Sequence, residues 1–250
     1  MRVNFGSSIA NAWGRSFLRH CVREMKGLVP DHKSAVNRIR DNAHGLFREH
    51  EPSLPDKQSR FPLANCCLLL AAYRELQGSL AKARAFEVVR TMICRTYQKP
   101  TQFFVRVWLW LTRDPLKQLR GKSKWSDQMQ RMYGSGMQFD KEETENSVDF
   151  IIRRCVFHAF FLEQGEPGLT RALCAHDRNW MDIVDASRHS IRTERPTTIS
   201  TGGDCCRIRL VRDDGSRQEE PDDIICRSLD FDLTSPEHWL RWCAESSGTR

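Results

Sequence analysis

Residues 147–212 read SVDFIIRRCVFHAFFLEQGEPGLTRALCAHDRNWMDIVDASRHSIRTERPTTISTGGDCCRIRLVR. Apolar and polar residues alternate from Ser147 to Arg153, and more strongly from Cys205 to Arg212. A period of two is the mark of a half-buried strand. Between these runs, residues 155–164 and 170–186 read as two helices, separated by the breaker Gly165-Glu-Pro-Gly168. Ser187 to Thr193 alternates again, and Thr201-Gly-Gly-Asp204 reads as a tight turn, since glycine takes positive φ freely. The stretch therefore predicts an antiparallel sheet carrying two helices. Alternation in its last strand sets Cys206, Ile208 and Leu210 on one face and Cys205, Arg207 and Arg209 on the other. Only one of the two adjacent cysteines can then share a given pocket.

Upstream the period changes to that of helices. Ile9, Trp13, Phe17, Leu18 and Cys21 form one stripe, and Val36, Ile39, Ala43, Leu46 and Phe47 a second. Glu51 to Asp56 reads as a loop. Leu63 to Leu76, dense in Ala, Leu and Cys, reads as a buried helix. Gly78 breaks it, and Ser79 is placed to cap the next helix, Leu80 to Tyr97, closing an αα-hairpin. Thr101 to Leu111 also reads as helix, with its tryptophans, Trp108 and Trp110, expected in the core. Residues 113–136 are polar and basic, suited to a solvated face, a loop or a lid. An acidic loop is expected over 213–228. A last short helix is expected at Ser235-Pro-Glu, docked by Trp239 and Trp242. The fold class is α+β: a mainly helical N-terminal half packed on a small antiparallel sheet with helices in the C-terminal half. Residues 1–135 form the helical scaffold and 136–250 the α+β portion carrying the site, expected as one compact unit.

Composition narrows the chemistry. The 250 residues carry a net charge of +7, with arginines spread along the chain. There is no helix-turn-helix pattern or RNP-like strand, which disfavours nucleic acid. A basic site for a small carboxylate-bearing ligand fits better, because a guanidinium grips a carboxylate with two parallel hydrogen bonds. Met1 to Ala12 has no apolar signal core, and no run of 18 apolar residues occurs, so a cytoplasmic protein with no membrane span is expected. The ten cysteines are then expected as reduced thiols. With no Cys-x-x-Cys and no His-x-x-x-His, neither metal nor cofactor is expected. Nothing in the sequence sets an oligomeric state.

The reactive side chains concentrate in the stretch first quoted. Cys174 and Asp177 are three apart, one helical turn, and so share a face. A carboxylate raises a neighbouring thiol's pKa, so activation would have to come from a cation or a helix N-terminus. Arg195, Arg154 and His176 are the nearby cations in sequence. The bland alternative is that these cysteines fill space in the core, as free cysteines often do.

The pattern Arg154-Cys155, then Cys174-x-x-Asp177, then Arg195-x-x-Thr198-Ile199-x-x-Gly202-x-x-x-Cys206-x-x-Arg209 resembles the L-2-amino-thiazoline-4-carboxylic acid hydrolase family. The resemblance extends to Leu63–Tyr97 through Leu76, Gly78 and Ala81. It implies hydrolytic opening of a cyclic amidine by thiol attack or by carboxylate-activated water. Carried over by position, Cys155, Cys174, Asp177 and Cys206 would be the catalytic group, with Cys174 the nucleophile and Asp177 handling protons or the amidine. Arg195 would hold a substrate carboxylate. Thr198, Gly202, Gly203 and His176 would complete the binding site. Two positions depart from the family pattern. Arg207 stands where an acidic residue is usual, and Phe157 where an aromatic hydroxyl is favoured. The alternative reading is a small-molecule-binding α+β module, or a pathway accessory protein, that holds a ligand without turnover.

Overall fold

A computed structural model describes residues 3–120 and 125–213. Four helices open the chain: α1 (Ser8–Met25), α2 (His32–His50), α3 (Arg60–Gln77) and α4 (Lys82–Leu111). Two short helices follow, α5 (Pro115–Leu119) and α6 (Trp125–Tyr133). Then come β1 (Gln138–Glu143), β2 (Ser147–Arg154), α7 (Val156–Glu163), α8 (Leu169–Cys174), α9 (Arg178–Asp185), β3 (Ile191–Thr197) and β4 (Cys206–Arg212). This is the α+β arrangement expected.

The apolar stripes of α1 and α2 face the core, and each helix is also capped. Ser7 caps α1 by accepting from the Ala10 amide, and Asp31 caps α2 by accepting from the Ser34 amide. Trp13, Phe17, Leu18 and Cys21 of α1 and Val36, Ile39, Ala43 and Phe47 of α2 are all buried. α3 is apolar almost all round, and Phe61 to Tyr73 are buried without interruption. Such a helix can only sit in the middle of the bundle. One core joins these helices to Cys155, Phe157, Phe160 and Phe161 near α7 and Leu169, Ala172 and Leu173 on α8.

The sheet is antiparallel, in the order β1-β2-β4-β3. Val148, Phe150 and Ile152 of β2 face Leu210, Ile208 and Cys206 of β4 on the inner side. Val148, Phe150 and Leu210 join Ile191, Val184 on α9, Leu116 on α5 and Leu109 on α4 in a second core. The outer side is ionic. Asp149 accepts from Arg207 and Arg209, at 2.6 Å from Arg207 Nη1 and 2.9 Å from Arg209 Nε. Burial alone would raise the Asp149 carboxyl, but the two guanidiniums more than offset this and hold it low.

Four sequence expectations need correction. The helix after Gly78 starts at Lys82 with Ala81 at its cap, and no side chain caps it, so Ser79 does not serve. That helix runs on through Pro100 to Leu111 as a single element. One face of its last turns is not core: Trp110 is 73% exposed, although Leu109 is buried and Trp108 is partly covered. Ser187–Ser190 is a turn, with Ser190 at φ 49°, and the strand begins only at Ile191. Strand β1 carries no strand signal in the sequence, because Gln-Phe-Asp-Lys-Glu-Glu lies on a sheet edge and lacks apolar alternation. Residues 113–136 hold α5 and α6, except for 121–124, which lie outside the described residues. The acidic loop beyond Asp213 and the terminal helix at Ser235 also lie outside the described residues.

One device ties the bundle to the approach to the sheet. Asp56 accepts from the amide and hydroxyl of Ser59, each at 2.8 Å, and from those of Ser135, each at 2.7 Å. Gly134 is at φ +72°, and a Cβ there would fall on the Asp56 carboxylate and the Ser59 hydroxyl. Only glycine fits this close approach.

Candidate active site

The expected single helix over 170–186 is interrupted where the chemistry lies. α8 stops at Cys174, a 3-10 turn covers Ala175–Asp177, and α9 starts at Arg178.

Arg195 reaches this turn from β3. The ladder between β3 and β4 shifts register between Glu194 and Thr197, so Arg195 and Pro196 together oppose Ile208. A bulge of this kind re-aims a side chain, and Pro196, with no N–H to give the ladder, is tolerated on an edge strand. The Arg195 side chain, only 4% exposed, lies under the sheet. Its Nη2 forms an ion pair with Asp177 Oδ2, and its Nη1 donates to the Cys174 carbonyl at 3.3 Å. Trp180 Nε1 donates to Asp177 Oδ1 at 3.3 Å. His176 Nε2 lies 3.5 Å from the same oxygen, while its Nδ1 donates to the Leu173 carbonyl at 2.5 Å. Burial would raise the Asp177 carboxyl, but His176, Arg195 and the indole outweigh it and set it below the usual range. Asp177 is therefore an anion.

Three thiols converge on this pair. Cys206 is on the inner face of β4, and the Ile199 amide donates to its sulfur at 3.3 Å. Cys155 is the cap residue of α7, where the His158 and Phe157 amides act on it. Cys174 closes α8. Burial pushes all three thiols up: Cys155 to about 11, Cys174 well above its ordinary value, and Cys206 also upward. Arg195 pulls Cys174 and Cys206 down, whereas Asp177 pushes all three up. Cys155 and Cys206 each perturb Cys174, and Cys206 perturbs Cys155. Cys205 lies on the other side of β4, 3.9 Å from Thr197 Oγ1, as the alternation required.

Three groups carried over from the family pattern are engaged differently from the expectation. Arg195 holds Asp177 rather than standing ready for a substrate carboxylate. The Thr198 hydroxyl is turned to Ser200 at 3.0 Å and Thr201 at 2.9 Å. The amides of Gly202 and Gly203 close the turn on the Ile199 and Thr198 carbonyls, at 3.1 and 2.9 Å, so they offer no donor to a ligand. Gly202 is at φ +93°, and a Cβ at Gly203 would meet the Thr198 carbonyl at 2.9 Å. The turn thus serves to present the Ile199 amide to Cys206.

Sequence reasoning missed the wall opposite. Asn65, buried in the middle of α3, donates to the Phe61 carbonyl at 2.7 Å and accepts from the Tyr97 hydroxyl at 2.7 Å. The Tyr97 ring lies 4.5 Å from that of His176. Burial raises the phenols of Tyr97 and Tyr133, and the Asp177 charge raises both further. Cys66 is likewise coupled to Cys155. Two of the chain's three tyrosines thus feel the Asp177 charge, and a lone Asn in an Ala/Leu/Cys helix was the available signal. The two departures from the family pattern now read differently. Arg207 is on the outer face with Glu142 and Asp149, away from the thiols. Phe157 packs edge-on to Tyr133, with ring centres 5.9 Å apart, so a phenol does stand beside that position.

The fold and this cluster define an α+β protein with a largely buried site of thiols, a partly buried carboxylate and a buried guanidinium. The chain belongs to the L-2-amino-thiazoline-4-carboxylic acid hydrolase family, whose model matches residues 63–210, more than half of its length. That span holds every member of the cluster. Comparison with curated proteins and with solved structures gives no significant match. Among the described residues no helix is long and apolar enough to cross a membrane, and no group of metal-ligating side chains converges.

Proposed function

We propose that the protein hydrolyses a small cyclic amidine, of the 2-aminothiazoline-4-carboxylate type, at the carbon between ring sulfur and ring nitrogen. The observation carrying this reading is an ionised Asp177 set among the thiols of Cys155, Cys174 and Cys206. A protonated amidine is a planar cation, and a buried carboxylate is its natural partner. The amidinium would pair with Asp177 and share it with Arg195.

Of the three thiols, Cys206 combines an amide donor aimed at its sulfur with the lowering influence of Arg195. We therefore assign the attack to Cys206 in preference to Cys174, the residue favoured on sequence alone. A bound cation would offset the Asp177 charge that holds the thiols up. The Cys206 thiol would pass its proton to the ring nitrogen of the bound amidine and add through sulfur to the amidinium carbon so formed. The carbon–ring sulfur bond would then break, and the leaving sulfur would take that proton. Water, giving its proton to Asp177, would add to the resulting enzyme-bound isothiourea. Release of the Cys206 thiol would leave an N-carbamoyl amino thiol. Tyr97 and Tyr133 would wall the ring, and His176 would orient Asp177.

A second reading rests on the same thiols: burial holds all three neutral at rest, which suits a binding module without turnover. Separate Cys155→Ala, Cys174→Ala and Cys206→Ala variants, assayed on 2-aminothiazoline-4-carboxylate and on cyclic ureas, divide the two. Turnover lost in Cys206→Ala and retained in the other two supports the assignment. Melting shifts with these ligands but no turnover by the wild type would replace hydrolysis with binding.

A further inference from the structure

The last three turns of α4 carry an apolar stripe that nothing among the described residues covers. Phe103, Phe104, Val107, Trp110 and Leu111 are 64, 68, 38, 73 and 68% exposed. Their spacing of i, i+1, i+4, i+7 and i+8 gathers them on one helical face. The helix beneath is firmly held. The Leu109 carbonyl lies 2.9 Å from His189 Nε2, Trp108 Nε1 donates to Gln118 at 2.8 Å, and the Thr112 hydroxyl donates to the same oxygen at 2.7 Å. A stripe of aromatic rings on an anchored helix is an interaction surface rather than a frayed end.

Two observations point to its occupant. The first is where the described chain ends. Arg212, the last residue of β4, donates to Asp114 at 2.6 Å, and Asp114 is three residues past Leu111. The chain therefore leaves the sheet beside the end of the stripe, with residues 214–250 still to follow. The stripe is about 12 Å long at helical rise. The residues from Asp213 to Trp239 could extend several times that distance. The second is charge. Around the stripe stand the exposed Lys99, Arg106, Arg113 and Lys117. The chain that leaves the sheet begins with Asp213, Asp214, Glu219, Glu220, Asp222 and Asp223, then turns apolar at Ile224, Leu229, Phe231, Trp239, Leu240 and Trp242. Acidic then aromatic is the complement of a basic rim around an aromatic stripe. A second copy of α4 would instead set the same cations against each other.

We propose that the exposed face of α4, Phe103 to Leu111, is the docking surface for the chain's own C-terminal stretch, residues 224–242. Trp239 and Trp242 supply the aromatic anchors, and the acidic residues from Asp214 to Asp223 meet the basic rim.

The test uses the full chain carrying p-benzoylphenylalanine in place of Phe104, irradiated and mapped by peptide mass spectrometry. It is paired with amide hydrogen exchange of residues 103–111 in the full chain, in a chain ending at Asp213, and in Trp239→Ser/Trp242→Ser. The expected result is a cross-link within one chain to residues 224–242, with exchange at 103–111 faster by about 10-fold in both altered chains. Cross-links between copies, with a dimer that persists without residues 214–250, would assign the stripe to self-association and overturn the proposal. Equal binding of the intact and shortened chains to phosphatidylserine vesicles, with unchanged exchange, would assign it to a lipid surface and also overturn it. Unchanged exchange with no cross-link to residues 224–242 would remove the C-terminal stretch as occupant outright.

Discussion

Arg195→Met removes the guanidinium that holds Asp177 while leaving most of the side-chain volume. Asp177 then keeps the Trp180 indole and His176 but sits in a partly buried setting without its permanent cation. Breaking a buried pair by removing one partner costs about 3 kcal/mol or more. For a chain of this size that corresponds to a fall in melting temperature of about 6–12 °C. The acid side gives a second signature. With Arg195 present, the folded pKa of Asp177 lies below its ordinary value of 3.8. The ionised pair therefore stabilises the fold at every pH above about 4, and that stability is lost as pH falls through the lowered folded pKa. Without Arg195, burial is opposed only by His176 and the Trp180 indole, and the carboxyl pKa rises from its lowered position. The variant's deficit should be largest near neutrality and shrink toward pH 4. Urea unfolding, followed by circular dichroism and tryptophan fluorescence under reducing conditions, measures both. Asp177→Asn strands the Arg195 cation and should cost a similar amount. The double variant should be less damaged than the sum, with a coupling of about 2–3 kcal/mol. Effects that add to within about 0.5 kcal/mol would show that the two groups do not act on each other, and the account of the site would fall.

Two further outcomes follow from the scaffold. Gly134→Ala should destabilise by more than the roughly 1–2 kcal/mol of left-handed backbone, because its Cβ also lands on Asp56 and Ser59. Gly27→Ala, at φ +84° with nothing within 4 Å, should cost only the backbone part, so equal melting shifts for the two would refute the close-approach argument. Asp56, drawn down to about 2 by its four Ser59 and Ser135 donors despite burial, contributes stability above pH about 4 that fades between pH 4 and 2. The difference between wild type and Asp56→Asn in thermal melts should therefore close over that window, and a constant difference down to pH 2 would contradict it.

The sequence by itself determined the local order. Apolar period marked α1 and α2, apolar density marked α3, and alternation fixed which face of β4 carries Cys206 and which carries Arg207. Those are short-range consequences of backbone geometry, readable wherever one face is buried. The sequence also gathered Cys155, Cys174, Asp177, Arg195 and Cys206 as one set, because they lie within a single stretch and resemble a family pattern.

What only the tertiary structure decided is what each group faces. A period tells which residues share a side of a helix, not whether another element covers it, so Trp110 at the end of α4 could be misread as core. Spacing placed Arg195 near the site, but the register shift in β3 gave it to Asp177. Gly202 and Gly203 were legible as a turn, yet only the folded turn showed their amides already engaged and Ile199 aimed at sulfur. Asn65, Tyr97 and Tyr133 belong to helices far along the chain, and no local rule connects them to Asp177. Local rules act through bonded neighbours and repeat periods, whereas electrostatic partners are chosen by packing between elements distant in sequence.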